Sequence, residues 1–218
     1  MTPRLIAFAG YGGAGKDEAA WNLLQQGYVR RNFGDVIKAF YNPFTTRQVT
    51  PDVFLKAIHA HRDPRVSAEQ VEDFAQRVLL PFYRAGRPVS AHTEDRGIKP
   101  LVRPLLEEGG DLIYDWVEAR YFHELDQATQ RGQRVVNTRL CRVSEARQWR
   151  NRGGVVVEVH RAGLDPSTEW DEDVLIALRA GGHLTHRITN ASPSGDHWRA
   201  VSAPAQLAQV LPQEAHVA

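Results

Sequence analysis

Cysteine is almost missing from this chain: Cys141 stands alone, which excludes an intramolecular disulfide and a cysteine-based zinc site. Lysine is scarce too. Lys16, Lys38, Lys56 and Lys99 are the only four, and the other 23 of 27 basic residues are arginines. Arginine suits planar recognition of phosphate, but GC-rich coding also produces an arginine excess, so this bias alone selects no ligand. A surplus of charge is absent as well. The 27 basic residues face 26 acidic ones for a formal net charge of +1, which is no electrostatic argument for nucleic-acid binding. No apolar run approaches the roughly 20 residues of a membrane-spanning helix. The apolar stretch at 5–9 is too short for a secretory leader and lacks its cleavage pattern, so a soluble cytoplasmic protein with no membrane partner is expected.

What is present is ordinary globular material: 218 residues, 42% hydrophobic and 24% charged, enough for a sizeable core. At one domain per roughly 100–200 residues, a single domain over 1–218 is expected, with length enough for an inserted lid or subdomain. Segment 5–9, Leu-Ile-Ala-Phe-Ala, is apolar and followed by glycine, as a buried parallel strand would be. Ala19, Ala20, Leu23 and Leu24 fall on one face of a helix over 17–26, which Gly27 stops. The middle third reads as helical. Ser67 and Gln70 form a capping box ahead of an apolar stripe of Val71, Phe74, Ala75, Val78, Leu79 and Phe82. A surface loop is expected over 84–100, and a second amphipathic helix over 112–125 with Ile113, Trp116 and Val117 inward. Strands at 134–138, 154–159 and 184–189 then alternate with helices at 143–152 and 205–210. The pattern predicts an α/β fold, a mostly parallel sheet covered on both faces in three layers.

The chemistry begins at Gly10, Tyr11, Gly12, Gly13, Ala14, Gly15 and Lys16, which match G-x-x-x-x-G-K between a predicted strand and a predicted helix. Glycines let successive backbone N–H groups turn into one concavity, the helix N-terminus adds its positive end, and the lysine supplies a point charge. This context implies binding of a nucleoside triphosphate. The next residue is Asp17, where such loops usually carry the serine or threonine whose hydroxyl ligates Mg²⁺. A carboxylate can serve magnesium directly or through water; it is equally a favourable first-turn helix residue.

Gly-Lys-Asp at this loop, together with the order of later segments, resembles the bacteriophage deoxynucleoside monophosphate kinase family of P-loop kinases. Phe33-Gly34-Asp35-Val36-Ile37-Lys38 resembles its F-x-D-x-hydrophobic-K element. Val102-Arg103-Pro104-Leu105-Leu106-Glu107-Glu108-Gly109-Gly110-Asp111 resembles its V-R-x-L…G-T-D segment. Asn137-Thr138-Arg139 with Glu145 resembles its D-x-R…E strand and helix, and Ile188-Thr189-Asn190 its I-x-N strand. The resemblance spans residues 4–191. It implies a three-layer P-loop kinase with a helical acceptor region at about 40–130 and a lid at about 161–180. ATP and Mg²⁺ would be the cofactors, in a host cytoplasm. Arg103 and Arg139 would hold phosphate or the acceptor nucleotide, with Lys38 and Asn137 facing the same cleft; surface ion pairs are the alternative for Lys38, Arg103 and Arg139. Arg161 would reach the ATP phosphates or base. A homodimer is left open.

Departures from the family cluster at its acceptor end. Asn137 stands where the family has Asp, Glu107 or Glu108 where it has Gln, and Gly109-Gly110 where it has Gly-Thr. Drift is one explanation and a changed acceptor the other. A related phage group phosphorylates the 5-hydroxymethyl group of 5-hydroxymethyl-deoxyuridine in DNA. An alcohol acceptor benefits from a carboxylate base, for which Asp35 is the candidate ahead of Asp17 and Asp111. Phe82, Tyr83, Arg84, Arg87, His92 and Arg96 would suit a polymer with its target base flipped out. The alternatives are a free deoxynucleoside monophosphate and a non-catalytic ATP-binding module. His183 with His186 is a poor metal pair, and Ser192 lacks a nucleophile elbow.

Overall fold

The computed structural model describes residues 4–95, 97–166, 169–192 and 194–211. In chain order the elements are β1 Leu5–Ala9, α1 Lys16–Gln25, β2 Tyr28–Arg30, α2 Phe33–Thr45, α3 Pro51–His61, α4 Ala68–Phe74, a π-helical turn Ala75–Leu79 and α5 Leu80–Arg84. They continue with α6 Lys99–Leu112, α7 Tyr114–Gln130, β3 Arg134–Asn137, α8 Val143–Asn151, β4 Val155–His160, α9 Glu169–Ala180 and β5 His186–Thr189. A short α10 Gly195–His197, a second π-helical turn Trp198–Ser202 and α11 Ala203–Val210 close the described chain. The chain forms two compact units. One comprises the sequence up to Asn32 and from Glu124 onward; the other is Phe33–His123, with the division falling inside α7. Among the described residues no helix is long and apolar enough to cross a membrane.

The first unit is built on a sheet ordered β2-β3-β1-β4-β5. Every pairing is parallel, with Ala7 opposite both Asn137 and Val156. All five residues of β1 are buried, as a central strand covered on both faces requires. Side chains alternate across a strand. Ile6, Phe8, Val136, Val157, Val159 and Ile188 therefore share one face, where they pack with Ala19, Ala20 and Leu23 of α1, Trp198, and Leu207 of α11. On the opposite face α8 packs on β1 and β4. There the nearly buried Glu158 accepts from Arg179 of α9, at 2.6 Å from Nη2.

The second unit is helical. The Ser67–Gln70 capping box is present in both directions, at 3.1 and 2.7 Å, and the helix it starts reaches Arg84 in three pieces. The helix expected over 112–125 is instead α7. Ile113, at φ −121° and ψ 24°, separates α6 from α7; a break one buried residue wide leaves the apolar pattern uninterrupted. Gly109 and Gly110 of α6 have a packing reason. A Cβ on Gly109 would sit 2.0 Å from the Tyr41 hydroxyl, and one on Gly110 2.8 Å from Ile37 Cδ1, so α6 closes on α2 only through bare backbone. The Tyr41 ring is fully buried among Phe40 and Phe54, and its hydroxyl has no hydrogen-bond partner among the described residues. Burial pushes its phenol well above the ordinary range. An unpaired buried hydroxyl costs about 1–3 kcal/mol. Tyr41→Phe is accordingly expected to stabilise the chain by about 1 kcal/mol in urea unfolding; a loss of that size would show that the hydroxyl has a partner.

Candidate functional site

Because all five strands are parallel, their carboxyl ends share one edge, and in open α/β sheets ligands bind outside that edge where the strand order reverses. Here the reversal lies at β1, whose neighbours β3 and β4 lead off in opposite directions. Residues 10–16 follow β1, Thr138 and Arg139 follow β3, Arg161 follows β4, and Asn190 follows β5. The first unit thus gathers Lys16, Asp17, Asn137, Arg139 and Arg161 along one edge.

The glycine loop needs its glycines for stated reasons. Gly10, Gly13 and Gly15 have φ of 140°, 79° and 96°, where L side chains are strained. A Cβ on Gly10 would lie 2.4 Å from the Val159 carbonyl oxygen, and one on Gly15 2.8 Å from both Asn190 Nδ2 and Trp198 Nε1. The Ala14 N–H donates to the Tyr11 carbonyl at 3.2 Å. Lys16 Nζ folds back over the loop and donates to the carbonyls of Gly10 and Tyr11 at 2.6 and 2.7 Å. An ammonium held on its own loop stands next to the concavity that phosphate would fill. Gly12 is exposed at the loop tip, Tyr11 is half-buried, and Asp17 is exposed on the first turn of α1. The exposed Arg161 places Nη1 3.4 Å from the Gly13 carbonyl.

Two residues without an expected role complete the loop. The Asn190 side chain donates to the Ala14 carbonyl at 3.0 Å and the Trp198 indole to the Gly15 carbonyl at 2.9 Å. Asn190 was legible only as part of a family-like strand. Trp198 carries no local signal.

At the end of β3, Asn137 is fully buried, and its Oδ1 accepts the Arg139 N–H at 2.7 Å, closing a turn that leaves Arg139 exposed. The Thr138 N–H donates to Asn32 Oδ1 at 2.9 Å. The Cys141 N–H donates to the buried Glu145 carboxylate at 3.2 Å. Burial, then the Glu145 charge, pushes the Cys141 thiol up to about 11, with Arg139 and Lys16 pulling the other way. Such a thiol is protonated and inert at neutral pH.

Asp35, Lys38 and Arg103 belong to the helical unit. Asp35 is half-buried on the first turn of α2. Lys38 Nζ lies 3.5 Å from Glu94, which Lys99 also meets at 2.9 Å; the Lys99 hydrogen bond foremost holds that carboxyl below its ordinary range. Arg103 is exposed and pairs with Glu107 one turn along α6 at 2.8 Å. Phe82 and Tyr83 pack on Phe44, and Arg47 covers the Tyr83 ring at 3.7 Å, so these aromatics serve the interior of their unit. Arg84, Arg87 and His92 are exposed; Arg96 lies outside the described residues. Trp149 is buried in the core and Trp116 lies tilted against the His61 ring, 4.6 Å between centroids. The side chain of Trp170 lies outside the described residues. Among the described residues no three His, Cys, Asp or Glu side chains form a metal-holding group.

No family model matches the chain, and no curated protein does. Among solved structures, TT1252 from Thermus thermophilus is 19% identical over 96% of this chain and 99% of its own, with a TM-score of 0.40. Dephospho-CoA kinase from Campylobacter jejuni is 7% identical over 95% of this chain and 97% of its own, with a TM-score of 0.50. The likeness to the second is one of fold: a parallel five-stranded α/β sheet with covering helices.

Proposed function

We propose that the chain is an ATP-dependent phosphotransferase acting on a deoxynucleotide. One observation carries the proposal. The glycine loop stands at the carboxyl edge of a P-loop-kinase sheet, with Lys16 folded over it and α1 opening behind it. Phosphoryl transfer is mostly positioning and charge stabilisation. The loop amides and Lys16 would hold the outer phosphates of ATP, and Arg161 beside Gly13 would add charge on the same side. Magnesium, when bound, neutralises phosphate charge. The donor set fits it: magnesium usually takes one or two carboxylates and completes its shell with phosphate oxygens and water, and Asp17 offers one exposed carboxylate beside the loop.

For the acceptor we favour the hydroxymethyl group of 5-hydroxymethyl-deoxyuridine in DNA. The hydroxyl oxygen bonds to the γ-phosphorus, the bond to the ADP oxygen breaks with its electron pair leaving on ADP, and the hydroxyl proton passes to a carboxylate, with Asp35 as the candidate. A free monophosphate acceptor needs cations for its own phosphate. Lys38 and Arg103, the two in the helical unit that the family pattern singles out, are already paired with Glu94 and Glu107. Arg139 would then contact the nucleotide, from the turn that the buried Asn137 holds through its Oδ1. Free deoxynucleoside monophosphate remains the second reading, favoured by the exposure of Arg139 at the sheet edge.

The test offers radiolabelled ATP with three acceptors side by side: 5-hydroxymethyluracil-containing duplex DNA, mixed deoxynucleoside monophosphates, and dephospho-CoA, named in the structural neighbour. The expected result is label on a base-linked phosphate in the DNA. Label only in diphosphates would replace this acceptor with free nucleotides, and label only in CoA would replace it with the neighbour's. Binding of ATP without transfer to any acceptor would leave an ATP-binding module.

A further inference from the structure

We infer that Trp198 and Asn190 are positioning residues for phosphate binding, acting by holding two carbonyls of the glycine loop so that the amides following them face the ligand. The inference rests on the phosphate-loop reading above.

A peptide unit is planar and trans, so its C=O and its N–H point in opposite directions. The Gly15 carbonyl accepts from the Trp198 indole at 2.9 Å and from the Ala19 N–H at 2.9 Å, both on the helix side. The N–H of the same peptide unit belongs to Lys16 and therefore points away from α1, the direction from which a helix N-terminus receives an anion. The Ala14 carbonyl accepts from Asn190 Nδ2 at 3.0 Å, which in the same way sets the Gly15 N–H. One side chain thus governs each of two successive amides.

Both anchors are committed to the task. Trp198 is fully buried and Asn190 is 5% exposed, so a donor left unpaired there would cost about 1–3 kcal/mol. Asn190 spends its Oδ1 on the Ser192 N–H at 3.2 Å, which leaves its NH₂ for Ala14. Trp198 opens a π-helical turn packed against α1, and such turns concentrate at functional sites. Gly15 has no room for a Cβ between the two donors.

The test uses the full chain and Mg·ATP as probe, with titration calorimetry for affinity and thermal unfolding with and without ATP. Trp198→Phe removes the indole donor, and Asn190→Asp keeps shape while replacing the donor by an acceptor. Each is expected to weaken ATP binding roughly tenfold, the scale of one hydrogen bond serving a charged group, and to shrink the stabilisation that saturating ATP confers. A purely structural role would lower the melting temperature of the free protein and leave ATP affinity unchanged, and that result overturns the inference. The wild-type chain supplies a readout independent of variant folding: bound ATP is expected to slow hydrogen exchange at the Gly15 and Lys16 amides, and unchanged exchange overturns the inference. A wild-type chain that binds no ATP at all would overturn the phosphate-loop reading itself. Loss of binding in Lys16→Ala but not in either anchor variant would remove the positioning role alone.

Discussion

Lys16→Ala is expected to lower γ-phosphate transfer by about 10³-fold, the scale seen when one charged group that stabilises a transferring phosphoryl is removed. The Lys16 side chain donates to the carbonyls of Gly10 and Tyr11. Both are backbone groups close to solvent, so losing their donor costs little stability. The fold should survive, with the far-UV circular dichroism and melting temperature of the variant near those of the parent. A Lys16→Met variant, which keeps the aliphatic stem and removes only the charge, should be as inactive as the alanine variant. Parental activity in either variant would show that this loop does not handle the transferred phosphate.

Gly10→Ala should do the opposite, damaging the scaffold as well as the site. At φ 140° the backbone is in a region that costs an L residue about 1–3 kcal/mol. The added Cβ also meets the Val159 carbonyl oxygen at 2.4 Å. That oxygen cannot retreat, because β4 is paired on one side with β1 and on the other with β5. Overpacking against fixed backbone adds about 1–3 kcal/mol, so a total near 3 kcal/mol is expected. With roughly 2–4 °C lost per kcal/mol in a chain of this size, the melting temperature should fall by about 6–12 °C, and ATP binding should fall with it as the loop is pushed off the strand. Gly34→Ala is the internal comparison: no atom lies within 4 Å of its Cβ, and it sits in α2, where alanine gains up to about 1 kcal/mol. Equal melting temperatures for Gly10→Ala and the parent would refute the steric account.

What could be read in advance follows from how far each signal reaches along the chain. The glycine loop was legible because its chemistry is contiguous, a strand, a turn and a helix start within some twenty residues. Strands β1, β3 and β4 were legible from their valine, isoleucine and leucine content, whereas β5, His-Arg-Ile-Thr, offered only Ile188 within a candidate segment. β2 was not: of Tyr28, Val29 and Arg30 only the first is buried, so three residues offer no pattern to read. The helix α2 was masked by Pro43 in its interior, a residue that ordinarily argues for a helix end. Gly109-Gly110 looked like an altered acceptor motif; in the folded chain they make room for Tyr41 and Ile37. Asn190 and Trp198 were beyond reach because their partners lie 176 and 183 residues away, and no local periodicity encodes a contact of that separation.

That separation also sets a timetable. During synthesis the glycine loop is made well before its anchors: the donor that holds the Gly15 carbonyl is added 183 residues later. At roughly 5–20 residues per second, the loop waits some 10–35 seconds before its last anchor exists. β1 waits similarly for β3 and β4 on either side of it. A nascent chain therefore carries the whole glycine loop long before it has the means to shape it, and a ribosome-bound intermediate that ends before Trp198 would expose the loop without the grip.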